Sequence, residues 1–305
     1  STFIDSIQRF VHKGRIHSEI NQLRSDQGGT VSGRLSYSNP NLQQIPARNK
    51  EFGNKIRSLF LPEEGKQWGS FDYSQQEPRL VAHYAASVNE NFSGADEFIE
   101  AYKNEAADFH QIVADMAGIS RTHAKTINLG LFYGMGKAKL ARELGISKDN
   151  AENLLQKYHA RVPFVKRLAE AVTNSSSKYG FIRTIKGRKC RFDMWEPATF
   201  GMNKAMQYEE AKAIYGNNIR RAFTYKALNR LIQGSAADQT KQAMINCYKQ
   251  GFKPLLQIHD ELCFSINSEN DISKVKEVME NAIEDLKVPF KVDIALGKSW
   301  GEAKE

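Results

Sequence analysis

The chain has 305 residues, 41% hydrophobic and 10% aromatic, enough for one large domain or two to three subdomains with cores of their own. Lys and Arg number 43 against 35 Asp and Glu, and the formal charge of +8 favours polyanionic partners, nucleic acid ahead of a merely soluble basic surface. Three cysteines, Cys190, Cys247 and Cys263, with no C-x-x-C pair, argue against a disulfide framework or a cysteine zinc site and fit free buried thiols in a reducing compartment. With no long apolar run and no secretory leader, the sequence reads as a soluble intracellular protein or a piece of one, with no membrane partner.

Residues 1–24 place Phe3, Ile4, Ile7, Phe10 and Val11 at helical spacing up to a break at Lys13-Gly14. An amphipathic helix with no cap at the first residue predicts the end of something longer. Residues 25–33 and 36–46 read as loops, rich in Gly, Ser, Asn and Pro. Residues 56–73 predict strand, turn at Pro62-Glu63-Glu64-Gly65, and strand. Pro78 suits the first turn of a helix that continues through Leu80, Val81, Tyr84 and Ala85.

From residue 96 to about 225 the pattern is almost wholly helical, interrupted by one hairpin at 178–192. It carries Lys186, Arg188, Lys189 and Arg191, as readily a solvated basic hairpin as a phosphate-contacting one. A helix follows at 229–248, then two strands within 254–266 joined at His259-Asp260-Glu261, a helix at 271–286 and a strand at 290–296. Strands at both ends with helices between them predict an α+β domain carrying a helical insertion.

Three segments carry chemistry. Phe71-Asp72-Tyr73-Ser74-Gln75-Gln76-Glu77-Pro78-Arg79 ends one apolar run, and Gln257-Ile258-His259-Asp260-Glu261-Leu262 lies between two others. If folding joins Asp72 to Asp260, the pair makes a hard-oxygen site for magnesium, the ion that handles phosphates. Each aspartate alone would be an ordinary turn former. Between them, Arg121, Lys125, Leu129 and Tyr133 recur every four residues, so a helix presents two cations, an apolar plate and an aromatic plate along one stripe. That stripe suits a triphosphate at one end and a base at the other, although a basic pair four apart is usually a solvated face.

Taken in order, these segments resemble motifs A, B and C of the family A DNA polymerases, from about Gly33 to Trp300. The resemblance implies a polymerase palm whose antiparallel sheet is split around a mainly helical fingers insertion. It divides the chain into a thumb remnant at 1–24, palm at 25–90, fingers at 91–228 and palm again at 229–305. The implied activity is template-dependent addition of deoxynucleotides to a primer 3′ end. The alternative is a non-catalytic fragment that binds primer-template DNA without its thumb. A monomer in a bacterial cytoplasm, an infected cell or an organelle is expected, with accessory partners undefined.

The resemblance also assigns residues. Asp72, Asp260 and the Tyr73 carbonyl hold two Mg2+ ions, which Mn2+ is able to replace, and Glu261 supports them. Lys125 donates a proton to the leaving pyrophosphate. The incoming nucleotide meets Tyr73, Gln75, Glu77, His110, Arg121, Lys125, Leu129 and Tyr133, with Glu77 as the steric gate against a ribose 2′-hydroxyl. Primer-template DNA meets Arg34, Asn41, Gln43, Arg48, Gly134, Asn229, Gln233, Gln257 and His259. Leu129 departs from the family, which carries Phe or Tyr there, and Gln76 and Pro78 stand where apolar residues are usual.

Overall fold

The computed structural model describes residues 2–26, 28–46, 50–88, 95–103, 108–132, 135–199 and 204–304. The fold is α+β and divides into two compact units. The first comprises Ser1–Gln76, Ala236–Asp285 and Phe290–Glu305, and the second Glu77–Ser235 with Leu286–Pro289.

The first unit is organised by a four-stranded antiparallel sheet in the order Leu256–Ile258, Glu261–Ile266, Gln67–Tyr73, Val292–Gly297. Its Gln67–Tyr73 strand is flanked on both sides, and five of its seven residues are buried, so the sequence there lacks the clean alternation of a one-faced strand. Gly69 is required by packing: a Cβ there would stand 2.7 Å from Ile266 Cγ1 and 2.8 Å from Phe71 Cε2. Phe71 meets Phe264 edge to face with ring centroids 5.7 Å apart. A second cluster gathers Leu35, Tyr37, Ile56, Trp68, Leu256 and Trp300.

The structure corrects several sequence expectations in this unit. The first helix spans only Thr2–Gln8, because Lys13 and Gly14 both adopt positive φ and turn a small hairpin between Val11–His12 and Arg15–Ile16. Glu19–Asn21 then pairs with Ser36–Ser38 inside what reads as loop. Ile56 belongs to a helix, Lys50–Arg57, so strand begins only at Gln67. The late helix is shorter than expected, Glu269–Glu280.

The second unit is mainly helical, with Phe109–Ala117, Arg121–Phe132, Lys148–Arg161 and Pro163–Tyr179 among its helices. The expected hairpin is present as Phe181–Arg183 paired with Lys189–Arg191. A second interruption was not foreseen: Trp195–Pro197 pairs with Ile219–Arg221. Three-residue strands, one ending in proline, are too short to show a period of two. Cys190, Cys247 and Cys263 are all buried and unpaired. Among the described residues no helix is long and apolar enough to cross a membrane.

Candidate active site

The sheet brings Asp72 and Asp260 together. Asp72 is the penultimate residue of the Gln67–Tyr73 strand, and Asp260 sits in the tight turn between Leu256–Ile258 and Glu261–Ile266. Ile258 pairs with Glu261 across that turn, and His259 takes φ 56°, a left-handed conformation of the kind that two-residue hairpin turns need. The turn is tied to its neighbour, since the Tyr73 N–H donates to the Asp260 carbonyl at 3.3 Å. Successive side chains alternate across a sheet, so Tyr73 faces away from Asp72. Its hydroxyl donates to the Met279 carbonyl at 2.6 Å, which leaves the Tyr73 backbone as its contribution to the site.

Register adds two more carboxylates. Glu261 and Asp293 lie directly opposite Asp72, one on each flanking strand. Burial first, and then the charge of Asp260, pushes Asp72 up from the ordinary carboxylate range. Burial likewise raises Asp260, against the pull of a hydrogen bond within its own residue and the charge of Arg34. Lys304 lies 3.1 Å from Glu261 Oε2 and 3.8 Å from Asp72 Oδ2.

This donor set fits a divalent cation. Asp72 Oδ1 is buried and finds no hydrogen-bond partner within the protein. Among the described residues no group of three or more His, Cys, Asp or Glu side chains converges as a complete cage. Magnesium needs no such cage, because it keeps waters and takes one or two carboxylates with substrate phosphates.

Beside the carboxylates, Arg34, Thr240, Lys241, Gln257 and His259 line one small cleft. Gln257 Nε2 donates to the His259 carbonyl at 2.7 Å, while its buried Oε1 has no protein partner. Burial, followed by the charge of Arg34, lowers the His259 pKa. Thr240 and Lys241 escaped the sequence reading. Their signal was the helical period, since they lie two turns beyond Gln233 on the Ala227–Lys249 helix. Asn41 caps the short turn Leu42–Gln44 by accepting the Gln43 N–H at 3.1 Å, and Gln43 Nε2 donates to the Leu35 carbonyl at 3.3 Å. Gln75 adopts φ 53° just before the helix Gln76–Val88. Gln76, unexpected at a buried position, donates to Gln239 Oε1 at 3.1 Å and lies 3.2 Å from Thr240 Oγ1. A satisfied amide replaces the usual apolar contact.

In the second unit, Arg121 opens the Arg121–Phe132 helix and places its guanidinium 2.6 Å from Asp108 Oδ2. Asp108 also caps the Phe109–Ala117 helix by accepting the His110 and Gln111 N–H groups at 2.9 and 3.2 Å. Burial raises Asp108, but Arg121 and the two amides outweigh it and hold the carboxyl below its ordinary range. His110 Nδ1 lies 3.0 Å from Asn128 Nδ2, and Tyr158 donates to Asn128 Oδ1 at 2.6 Å. An amide nitrogen only donates, so His110 Nδ1 accepts and its Nε2 carries the proton. Burial, then Arg121 and Lys125, outweigh Asp108 and keep His110 below its ordinary pKa.

Lys125 is exposed one turn after Arg121. Leu129 continues that helix, but its side chain, with Arg48, Tyr133 and Gly134, lies outside the described residues. Glu77 stands in the first turn of Gln76–Val88, where the helix dipole favours an acid. Asn229 and Gln233 are one turn apart on the Ala227–Lys249 helix, and Asn229 Nδ2 is buried without a protein partner.

The sheet unit carries a two-carboxylate centre, the helical unit carries a helix that opens on a cation, and the chain has counterparts among known proteins. The family model for DNA polymerase family A matches residues 1–302, and the chain belongs to that family. Similar proteins include the DNA-directed DNA polymerase of Pseudomonas phage M6, 36% identical over 99% of this chain and 49% of that protein. Thermostable DNA polymerase I of Thermus filiformis is 34% identical over 100% of this chain and 35% of its own length. Among solved structures, the POL domain of Pol1 from M. smegmatis in complex with DNA primer-template and dNTP matches with a TM-score of 0.78 and 33% identity, covering 100% of this chain and 51% of that one. The chain thus spans about half or less of the length of these relatives. Family A DNA polymerases generally use divalent metal ions.

Proposed function

We propose that the chain is the catalytic portion of a DNA-directed DNA polymerase, its sheet unit the palm and its helical unit the fingers. It adds deoxynucleotides to a primer 3′ end on a DNA template. The observation that carries this reading is the meeting of Asp72 and Asp260, with Asp72 Oδ1 buried and unpartnered. Asp72, Asp260 and the Tyr73 carbonyl would hold two Mg2+ ions, replaceable by Mn2+, which favour the alkoxide of the primer and neutralise the leaving pyrophosphate.

The side chains supply the rest. Arg121 and Lys125 stabilise charge that builds on the triphosphate, and Lys125 protonates the pyrophosphate as it leaves. His110 adds a neutral Nε2–H donor, oriented by Asn128. Gln75, Leu129 and Tyr133 complete the nucleotide pocket, and Glu77 excludes a 2′-hydroxyl by occupying its space. Arg34, Gln257 and His259 line a cleft suited to the minor-groove edge, where every base pair offers acceptors. Asn41, Gln43, Arg48, Gly134, Asn229 and Gln233 extend contact along primer and template, mostly without reading sequence. Glu261 stays beside the ions as a supporting charge.

The test is extension of a primed DNA template with Mg2+ and each nucleotide type at low salt, by the parent and by Asp260→Asn. Deoxynucleotide extension by the parent that the substitution abolishes supports the reading. Intact DNA binding with no extension would instead make this a binding module.

A further inference from the structure

One cation serves several carboxylates in the sheet unit. Lys304 Nζ lies 3.1 Å from Glu261 Oε2, whose side chain is buried, and 3.8 Å from Asp72 Oδ2. Asp72 faces Glu261 on one flanking strand and Asp293 on the other, with Asp260 next in sequence to Glu261. Arg34 acts on Asp260, and Arg57 on Glu261, but among the described residues only Lys304 forms an ion pair with Asp72 or Glu261.

The lysine is delivered by tight packing. It ends the short turn Glu302–Lys304, which follows Trp300. Trp300 stacks on Trp68 at 6.1 Å, meets Phe60 edge to face at 5.7 Å, and carries the Arg57 guanidinium 5.2 Å from its ring centre. The Trp300 backbone N–H donates to the Phe60 carbonyl at 3.0 Å. On a Cβ at Gly301 the Asn54 carbonyl would close to 2.6 Å, and on one at Gly297 the Ala303 nitrogen would close to 2.7 Å. Gly301 therefore seats against the end of the Lys50–Arg57 helix and Gly297 against the Glu302–Lys304 turn too closely for larger residues, which fixes the backbone from which Lys304 reaches the carboxylates.

We propose that Lys304 is a positioning residue: a resident counter-cation that holds Glu261 and Asp72 in place and weakens divalent-ion binding by Asp72 and Asp260 until substrate phosphates complete the ligand set. The proposal rests on the two-ion reading of the site. An ammonium within 4 Å of a ligand carboxylate offsets part of the field that an arriving dication feels, and its 3.1 Å pair with the buried Glu261 carboxylate keeps it close. Ions would then arrive with the triphosphate and depart with the pyrophosphate more readily than from an uncompensated carboxylate pair.

The experiment is Mn2+ titration of the protein without DNA or nucleotide, followed by the electron paramagnetic resonance signal of free Mn2+. Lys304→Gln and Lys304→Met remove the charge and should bind Mn2+ roughly tenfold more tightly than the parent. Lys304→Arg keeps the charge and should stay near the parent. In chelator, the Gln and Met variants should melt below the parent, with saturating Mn2+ closing the gap. If a charge-free variant that melts cooperatively binds Mn2+ no more tightly than the parent, the proposal fails. Asp72→Asn and Asp260→Asn serve as controls: parent-like Mn2+ binding by both would overturn the ion site itself, a different outcome.

Discussion

Tyr158 and Asn128 fix a proton at a third residue. The buried phenol donates to Asn128 Oδ1 at 2.6 Å, which turns the amide nitrogen toward His110 Nδ1 and leaves the histidine to donate from Nε2. Tyr158→Phe would strand a buried acceptor, and a loss of about 1–3 kcal/mol in unfolding free energy, measured by denaturant titration, is expected. Weaker deoxynucleotide binding should accompany it, because His110 loses the partner that sets its ring. Unchanged nucleotide affinity in a destabilised variant would separate the structural role from the positioning one.

Asp260→Asn should slow primer extension by at least about a thousandfold, roughly 4 kcal/mol of barrier. The same variant should melt no lower than the parent without divalent ions, since burial makes the charged form of Asp260 unfavourable. A variant that lost activity by unfolding would show the opposite melting behaviour.

Glu77→Ala should narrow the preference for deoxy- over ribonucleotides by on the order of 1–3 kcal/mol. Single-nucleotide incorporation with each sugar measures it, and equal discrimination by parent and variant would remove Glu77 from the sugar site.

Acidification should weaken the protein through the half-buried His159. Burial, with the nearby Lys166 charge, lowers the His159 pKa below its ordinary 6.5. The folded state therefore holds fewer protons than the unfolded chain in the window below 6.5, and this contribution to stability, complete above that pH, is lost as pH falls through the window. Asp72 and Asp260 run the other way, because their raised values let the folded state take up protons first. Comparison with His159→Gln cancels them. From roughly pH 7.5 to 5.5 the parent should lose more stability than the variant, as read by thermal melting.

The meeting of Asp72 and Asp260 was legible in the sequence because ion chemistry restricts the residue types that serve it, whereas the triphosphate roles of Arg121 and Lys125 stand as proposals. Lys304 was not legible, because one lysine near an acidic stretch resembles any solvated surface until the Trp300 packing is known. Thr240 and Lys241 were hidden within a helix whose polar residues could all have faced water. Ile56 misled for a local reason. It precedes Leu59, Phe60 and Leu61, and the run looks like strand, whereas the Lys50–Arg57 helix is an amphipathic turn of the chain that buries Ile56 alongside Trp300. Gln76 read as a misfit, and only its hydrogen bonds to the Ala227–Lys249 helix show why a polar residue is stable there.

The sheet register carries a cost during synthesis. Ser70 and Cys263 are neighbours in the folded sheet but 193 residues apart in the chain. At typical translation rates the Gln67–Tyr73 strand would wait on the order of 10 s or longer before either partner strand exists. In that interval both edges of an apolar strand are unpaired, open to the same strand on a neighbouring nascent chain. Expression yield should therefore respond to translation speed and chaperone supply more than to the stability of the finished fold.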